Sequence, residues 1–216
     1  SAASDVYKRQ EEKMKKRCHF TRKAGLKSCI IKKAPKTAHT SFENGGNGMY
    51  PFFAMLSRMK YINRWGLMRN TRAENICEHS LDVGLIAHAL ALIGNKKFGK
   101  NYDAERAAVL GMLHDASEII TGDMPTPVKY HSEEIRRAYG EVEDMAVEHL
   151  VSMLPEELRE EYRKIMTMSG PQDEALKPLV KAADKISAVI KCVEERISGN
   201  RDFSKAEQTI TQAIRD

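Results

Sequence analysis

The 216-residue chain is poor in aromatic residues, at 6%, and has a single tryptophan, Trp65. No stretch alternates apolar and polar residues for the length of a strand, which argues against a β architecture. No uninterrupted apolar run reaches the roughly 18–20 residues that cross a bilayer. No short apolar core of a secretory signal is present either, so neither membrane nor export is expected. None of the four cysteines, Cys18, Cys29, Cys77 and Cys192, forms a C-x-x-C pair. Without an export signal they read as reduced thiols of a cytoplasmic protein.

Charge is abundant but unevenly placed. Residues 1–48 carry 12 Lys/Arg against 4 Asp/Glu, whereas residues 49–216 carry 23 against 26. The basic pI therefore describes the leader, and the body is mildly acidic. The leader shows no sustained period and ends in "ENGGNG", a linker signal. It lacks the interleaved aromatics that stack bases in a nucleic-acid-binding arm. Residues 1–48 are expected to be a disordered or non-native extension, with Met49 a natural start for a domain over 49–216.

Leu, Ala, Met, Glu, Lys and Arg dominate the body, a composition that favours helix. "YPFFAMLSRMKYINRW" is amphipathic, with Phe53, Leu56, Met59 and Lys60 at helical spacing. A helix is predicted over about 76–93, closed by Gly94-Asn95, and another over about 102–121, capped by Asp103. Further helices are predicted after Ser132, after Pro155, across "QDEALKPLVKAADKISAVIKCVEERIS" and from about Phe203. The fold class expected is all-α, a bundle of about six to seven helices.

Polar residues interrupt the apolar stripes at a few positions. His79 shares a face with Val83, Ile86 and Leu90; His114 and Glu118 share one with Ala107, Leu110 and Gly111. Asp115 adjoins His114, and Asp184 sits beside a stripe of Val180, Ala183, Ser187 and Ile190. A buried carboxylate without a partner costs several kcal/mol. Two histidines and two aspartates pointing inward from three helices therefore call for a shared cation. Imidazole and carboxylate donors suit Zn, Mn, Fe, Co or Ni, and bundles build such sites from facing helices.

His79, the pair His114-Asp115 and Asp184 resemble the H…HD…D signature of the HD superfamily of metal-dependent phosphohydrolases. "LSRMKYINRWGLMRNTRAENICEHSLDVGLIAHALA", "LGMLHDASEIITGDMPTPVKY" and "LVKAADKISAVIKCVEE" resemble, more closely, bacterial 5'-deoxynucleotidases of the YfbR type. The resemblance runs from about residue 50 to about 200. It implies an HD-domain helical bundle, metal ligands at His79, His114, Asp115 and Asp184, and an essential carboxylate at Glu118. It places a phosphate-binding, catalytic arginine on Arg64 and substrate contacts on Arg64, Trp65, His79 and Asp123. Trp65 would pack on the sugar and disfavour a 2'-hydroxyl; Asp123 would accept a hydrogen bond from the 3'-hydroxyl. The substrates implied are deoxyribonucleoside 5'-monophosphates, and the assembly a homodimer. Family members also continue by a further helical segment, so the domain is expected to extend beyond Asp216. No Gly-rich phosphate loop is present, and an HD site does not require one.

Two other readings stay open on the sequence. Another HD hydrolase, acting on nucleoside triphosphates or a guanosine alarmone, would share the four ligands, although "INRW" and "TGDMPTP" favour the deoxynucleotidase. A nucleic-acid-binding or regulatory protein using the basic leader is disfavoured by retention of all four ligands and Glu118. Structural roles are expected for His88, His131 and His149. Glu78 is a possible partner of a ligand histidine or of Arg64.

Overall fold

The computed structural model describes residues 50–129 and 131–215. The expectations for residues 1–48, including Cys18 and Cys29, lie outside these residues. The described chain runs α1 (Tyr50–Leu56), a 3-10 turn (Ser57–Tyr61), a loop over 62–75, then α2 (Ile76–Phe98) and α3 (Ala104–Leu113). It continues through the one-turn helices α4 (Glu118–Thr121) and α5 (Thr126–Lys129) to α6 (Glu133–Ser152), α7 (Glu156–Thr167), α8 (Asp173–Ile197) and α9 (Ser204–Arg215). Among the described residues the only β pairing is an isolated antiparallel bridge between Asn63 and Asn75. Seven of the helices have seven residues or more, as the all-α expectation requires.

Helix starts follow local chemistry. The side chains of Asn75, Asp103 and Ser132 accept hydrogen bonds from the backbone N–H groups of Glu78, Arg106 and Ile135, satisfying donors that the first turn leaves unpaired. The main core lies between α2, α3 and α8, where Val83, Ala87, Ala91, Ala107, Leu110, Leu176, Val180 and Ala183 are buried. Small residues dominate it, and the helices approach closely as a result. At the α2–α3 crossing a Cβ on Gly111 would lie 2.9 Å from the Gly84 backbone, so these two glycines touch main chain to main chain. A second cluster joins Phe52, Ala116, Val147, Leu150, Val151, Leu154 and Met166, and a third Met59, Ile76 and Ile119. Ala116 and Ile119 thus anchor the chain after α3 on two sides.

Three expectations are corrected. The helix predicted to close at Gly94-Asn95 continues to Phe98 and ends on Gly99 in the left-handed conformation. Gly94 is there for contact, since a Cβ would meet the Tyr102 ring at 2.8 Å; Asn95 uses its side chain to bond the Tyr102 backbone. The helix predicted over about 102–121 breaks after Leu113 into a turn over residues 114–117. At the start of the domain Phe52 is buried and Phe53 is 46% exposed, because α1 passes into a 3-10 turn and its apolar face shifts. Helix α2 has the length and mean hydropathy, 1.5, of a membrane-crossing helix. Its His79, Ser80 and Gly84 are buried, and it packs against α3 and α8.

Candidate active site

The break after Leu113 makes the site. A continuous helix would point His114 and Asp115 to different sides; the turn over 114–117 lets both face α2. His114 Nδ1 lies 2.8 Å from the Gly111 carbonyl. A carbonyl only accepts, so Nδ1 carries the proton and the neutral ring presents a lone pair at Nε2. On α2, His79 is fully buried, with its Nδ1 3.0 Å from Ser187 Oγ, within hydrogen-bonding distance. The Nε2 atoms of both histidines are buried without a hydrogen-bond partner.

These atoms converge on carboxylates. Asp115 Oδ2 lies 3.1 Å from His114 Nε2 and 3.6 Å from His79 Nε2. Asp184 Oδ1, from α8, lies 3.2 Å from His79 Nε2. The donor atoms of His79, His114 and Asp115 all fall within 4.8 Å of one another. Two orphaned imidazole nitrogens facing two carboxylates form a donor set that fits a divalent cation of the Zn, Mn, Fe or Co type. Ser187 and the Gly111 carbonyl supply the outer hydrogen bonds that fix ring orientation in such sites.

Electrostatics follow from burial and proximity. Burial pushes the His79 pKa down, against the opposing pull of Asp184. Burial also acts to lower His114, but the charge of the adjoining Asp115, with help from Asp184, raises it overall. Burial would raise the pKa of Asp115 and Asp184; the neighbouring histidines hold both below the usual carboxylate range. Glu118, 8% exposed, moves the other way. Burial, reinforced by the Asp115 and Asp123 charges, pushes its pKa up to about 9, and its Oε2 has no hydrogen-bond partner.

The loop over 62–75 brings in the remaining candidates. Arg64 Nη2 reaches 3.9 Å from Asp184 Oδ1, and its guanidinium lies 5.6 Å from the Trp65 ring centre. Trp65 packs edge-on against the buried Phe203 at 5.2 Å, and its backbone N–H donates to Asp123 Oδ2 at 3.2 Å. Asp123 is held in its turn by Tyr139, whose hydroxyl donates to the Gly122 carbonyl. Contacts thus join His79, His114, Asp115, Asp184 and Arg64, and Arg64 to Trp65 to Asp123, while Glu118 lies within reach of the Asp115 and Asp123 charges.

Some partners differ from those expected. Glu78 pairs with Arg72 on the surface, not with a histidine or Arg64. Arg64 pairs instead with Glu74, and His79 with Ser187, 108 residues away. Ser187 left a faint signal as a lone hydroxyl in an apolar stripe. Glu74 left none, lying in a polar stretch with no period.

The architecture is that of the HD-type helical fold. An HD-domain phosphohydrolase from Listeria innocua superposes with a TM-score of 0.65 at 24% identity, over 76% of this chain and 78% of that one. A protein from Pyrococcus horikoshii gives 0.60 at 24%, over 77% and 89%. These likenesses show the fold. The family is shown by sequence: the model described as "5'-deoxynucleotidase YfbR-like" matches residues 51–216. A 5'-deoxynucleotidase of Photorhabdus temperata is 51% identical over 166 residues, 77% of this chain and 84% of that protein, and one of Yersinia pestis gives the same figures. The chain belongs to the YfbR-like 5'-deoxynucleotidase family.

Proposed function

We propose that this chain is a divalent-metal-dependent 5'-deoxynucleotidase, hydrolysing deoxyribonucleoside 5'-monophosphates to deoxynucleoside and phosphate. The observation that carries the reading is the pair of buried, unpartnered imidazole Nε2 atoms facing Asp115, with Arg64 and Glu118 beside them. His79, His114, Asp115 and Asp184 would hold the ion. An ion held there would supply positive charge for phosphoryl oxygens and would lower the pKa of a bound water, so that it could be deprotonated near neutral pH.

The chain's own groups do the rest. The Arg64 guanidinium grips phosphoryl oxygens and offsets charge that grows on them as the bond breaks. Glu118 is the proton-transfer group. Its unpaired Oε2 exchanges a proton with the attacking water or with the departing 5'-oxygen. Trp65 offers its ring to the sugar, where a 2'-hydroxyl would be crowded. Asp123 keeps one oxygen on the Trp65 N–H and has the other for the 3'-hydroxyl. A homodimer and a cytoplasmic location remain part of this proposal.

The test is phosphate release from dAMP and AMP by metal-stripped protein, with Mn²⁺, Co²⁺ or Mg²⁺ added back, beside Glu118→Ala. Release from dAMP but little from AMP, requiring added metal and lost in the variant, is the expected result. No release from either substrate by metal-loaded protein would overturn it and direct attention to nucleoside triphosphates and alarmones.

A further inference from the structure

We infer that Glu74, which touches neither the metal ligands nor the reacting atoms, is a positioning residue that ties the phosphate-gripping Arg64 to the sugar-facing Trp65. The inference rests on the nucleotidase reading above. A single oxygen carries the link: Glu74 Oε2 accepts from Arg64 Nη1 at 2.9 Å and from Trp65 Nε1 at 2.8 Å. The two side chains of the Arg64–Glu74 pair are only 13% and 12% exposed. A charge-assisted bond in such surroundings is stronger than an open surface pair.

The backbone prepares this contact. The Arg64 N–H donates to the Glu74 carbonyl at 2.9 Å, and the Ile76 N–H to the Ile62 carbonyl at 2.9 Å, so the two ends of the loop are zipped together. Glu74 therefore stands opposite Arg64 by construction. Trp65 needs the help most, because its φ is +60, in the left-handed region that a bulky residue rarely adopts. Such a conformation persists only where its surroundings over-determine it. Asp123 holds the Trp65 N–H, Asn70 Nδ2 donates to its carbonyl, Phe203 supports its ring, and Glu74 fixes which way the indole turns.

Arg64 has the complementary need. Its Nη2 already lies 3.9 Å from Asp184 Oδ1. A guanidinium released from Glu74 would close onto Asp184, the nearest carboxylate, and abandon its pose for phosphate. Loss of Glu74 thus damages phosphate grip and sugar discrimination in one step.

Trp65 is the chain's only tryptophan, so indole emission reads this contact directly. The experiment compares wild type with Glu74→Ala, Glu74→Asp and Glu74→Gln by tryptophan emission, circular dichroism and Mn²⁺-supported steady-state kinetics on dAMP and AMP. Glu74→Ala is expected to shift the emission, raise KM for dAMP about tenfold and lower the dAMP-to-AMP ratio of kcat/KM about tenfold, with a smaller change in kcat. Glu74→Gln, which keeps an oxygen for both donors, is expected to restore the emission and most of the ratio. A folded Glu74→Ala with wild-type emission and a ratio within about twofold of wild type would overturn the inference. If that variant does not fold, Glu74→Asp, which keeps the charge but withdraws it by one methylene, is read by the same criteria. Absence of dAMP hydrolysis by wild type would sink the nucleotidase reading instead. The emission comparison would then still decide whether Glu74 holds Trp65.

Discussion

Two clusters of ionisable residues each draw a carboxylate from α8, Glu195 in one and Asp184 in the other, and they are built on opposite terms. Around Glu195 everything is paired. Its carboxylate accepts from the Thr71 N–H and Oγ1, from Asn200 Nδ2 and from Lys191 Nζ, and both Lys191 and Glu195 are almost fully buried. Burial alone would raise the Glu195 pKa, but these donors hold it well below the usual range. Around Asp184 the pairing stops short. The Nε2 atoms of His79 and His114 and the Oε2 of Glu118 are buried with no hydrogen bond. A polar network that satisfies every member rigidifies a fold, whereas one left open costs stability unless a ligand completes it. The closed cluster fixes the loop that carries Arg64 and Trp65; the open one is where that loop's side chains work.

The sharpest way to test this contrast is Glu118→Gln. It should lower metal-dependent phosphate release by roughly 10²–10⁴-fold, the worth of a positioned proton-transfer group. The melting temperature of the metal-free protein should hold or rise, since a crowded carboxyl next to Asp115 and Asp123 is relieved. A large fall in melting temperature would show that the open cluster is structural after all.

Glu195→Ala should do the reverse. It strands the buried Lys191 ammonium, and removing one partner of such a pair costs about 3–5 kcal/mol, readable by urea unfolding. A loss under about 1 kcal/mol would remove the distinction between the clusters.

Gly111→Ala comes next. Its Cβ would press on the Gly84 backbone, and overpacking of this kind costs about 1–3 kcal/mol. Calorimetric titration with Mn²⁺ should show weaker binding, although the variant alters no donor.

The smallest effect concerns acid. Arg106 clasps Asp173 with two bonds, Nε to Oδ1 at 2.9 Å and Nη2 to Oδ2 at 2.8 Å, joining the starts of α3 and α8. That hydrogen bonding, helped by the Gly170 N–H, holds the Asp173 pKa below its usual value. A depressed carboxylate stabilises the fold at any pH above the unfolded value of about 3.9 and loses that contribution as pH falls toward the folded one. Melting temperature should therefore drop between about pH 5 and pH 3 in wild type, and less steeply in Asp173→Asn. Parallel curves would deny the clasp a role.

What the sequence made legible was chemistry at short range. His79, His114, Asp115 and Asp184 stood out because a histidine or acid on an apolar stripe needs a partner, and the Asp103 and Ser132 caps because an N-cap acts within three residues. What escaped was whatever depends on a distant neighbour. Gly94 reads as a helix stop until Tyr102 is seen against it. The helix break after Leu113 comes from Ala116 and Ile119 being drawn into two different clusters, which no local period encodes. Glu74 acquires meaning only once the ends of the 62–75 loop are zipped.

The contact between Gly84 and Gly111 has a consequence for the spacing of the two imidazoles. His79 lies five residues before Gly84 on α2, and His114 three residues after Gly111. At 1.5 Å per residue both backbone positions lie within roughly 5–8 Å along the helix axes of the point where the two backbones meet. The gap between the two imidazoles is thus gauged by main chain against main chain, the least compressible contact available. The separation of the two histidine rings, 5.3 Å between centres, thus rests on two residues that have no side chain at all.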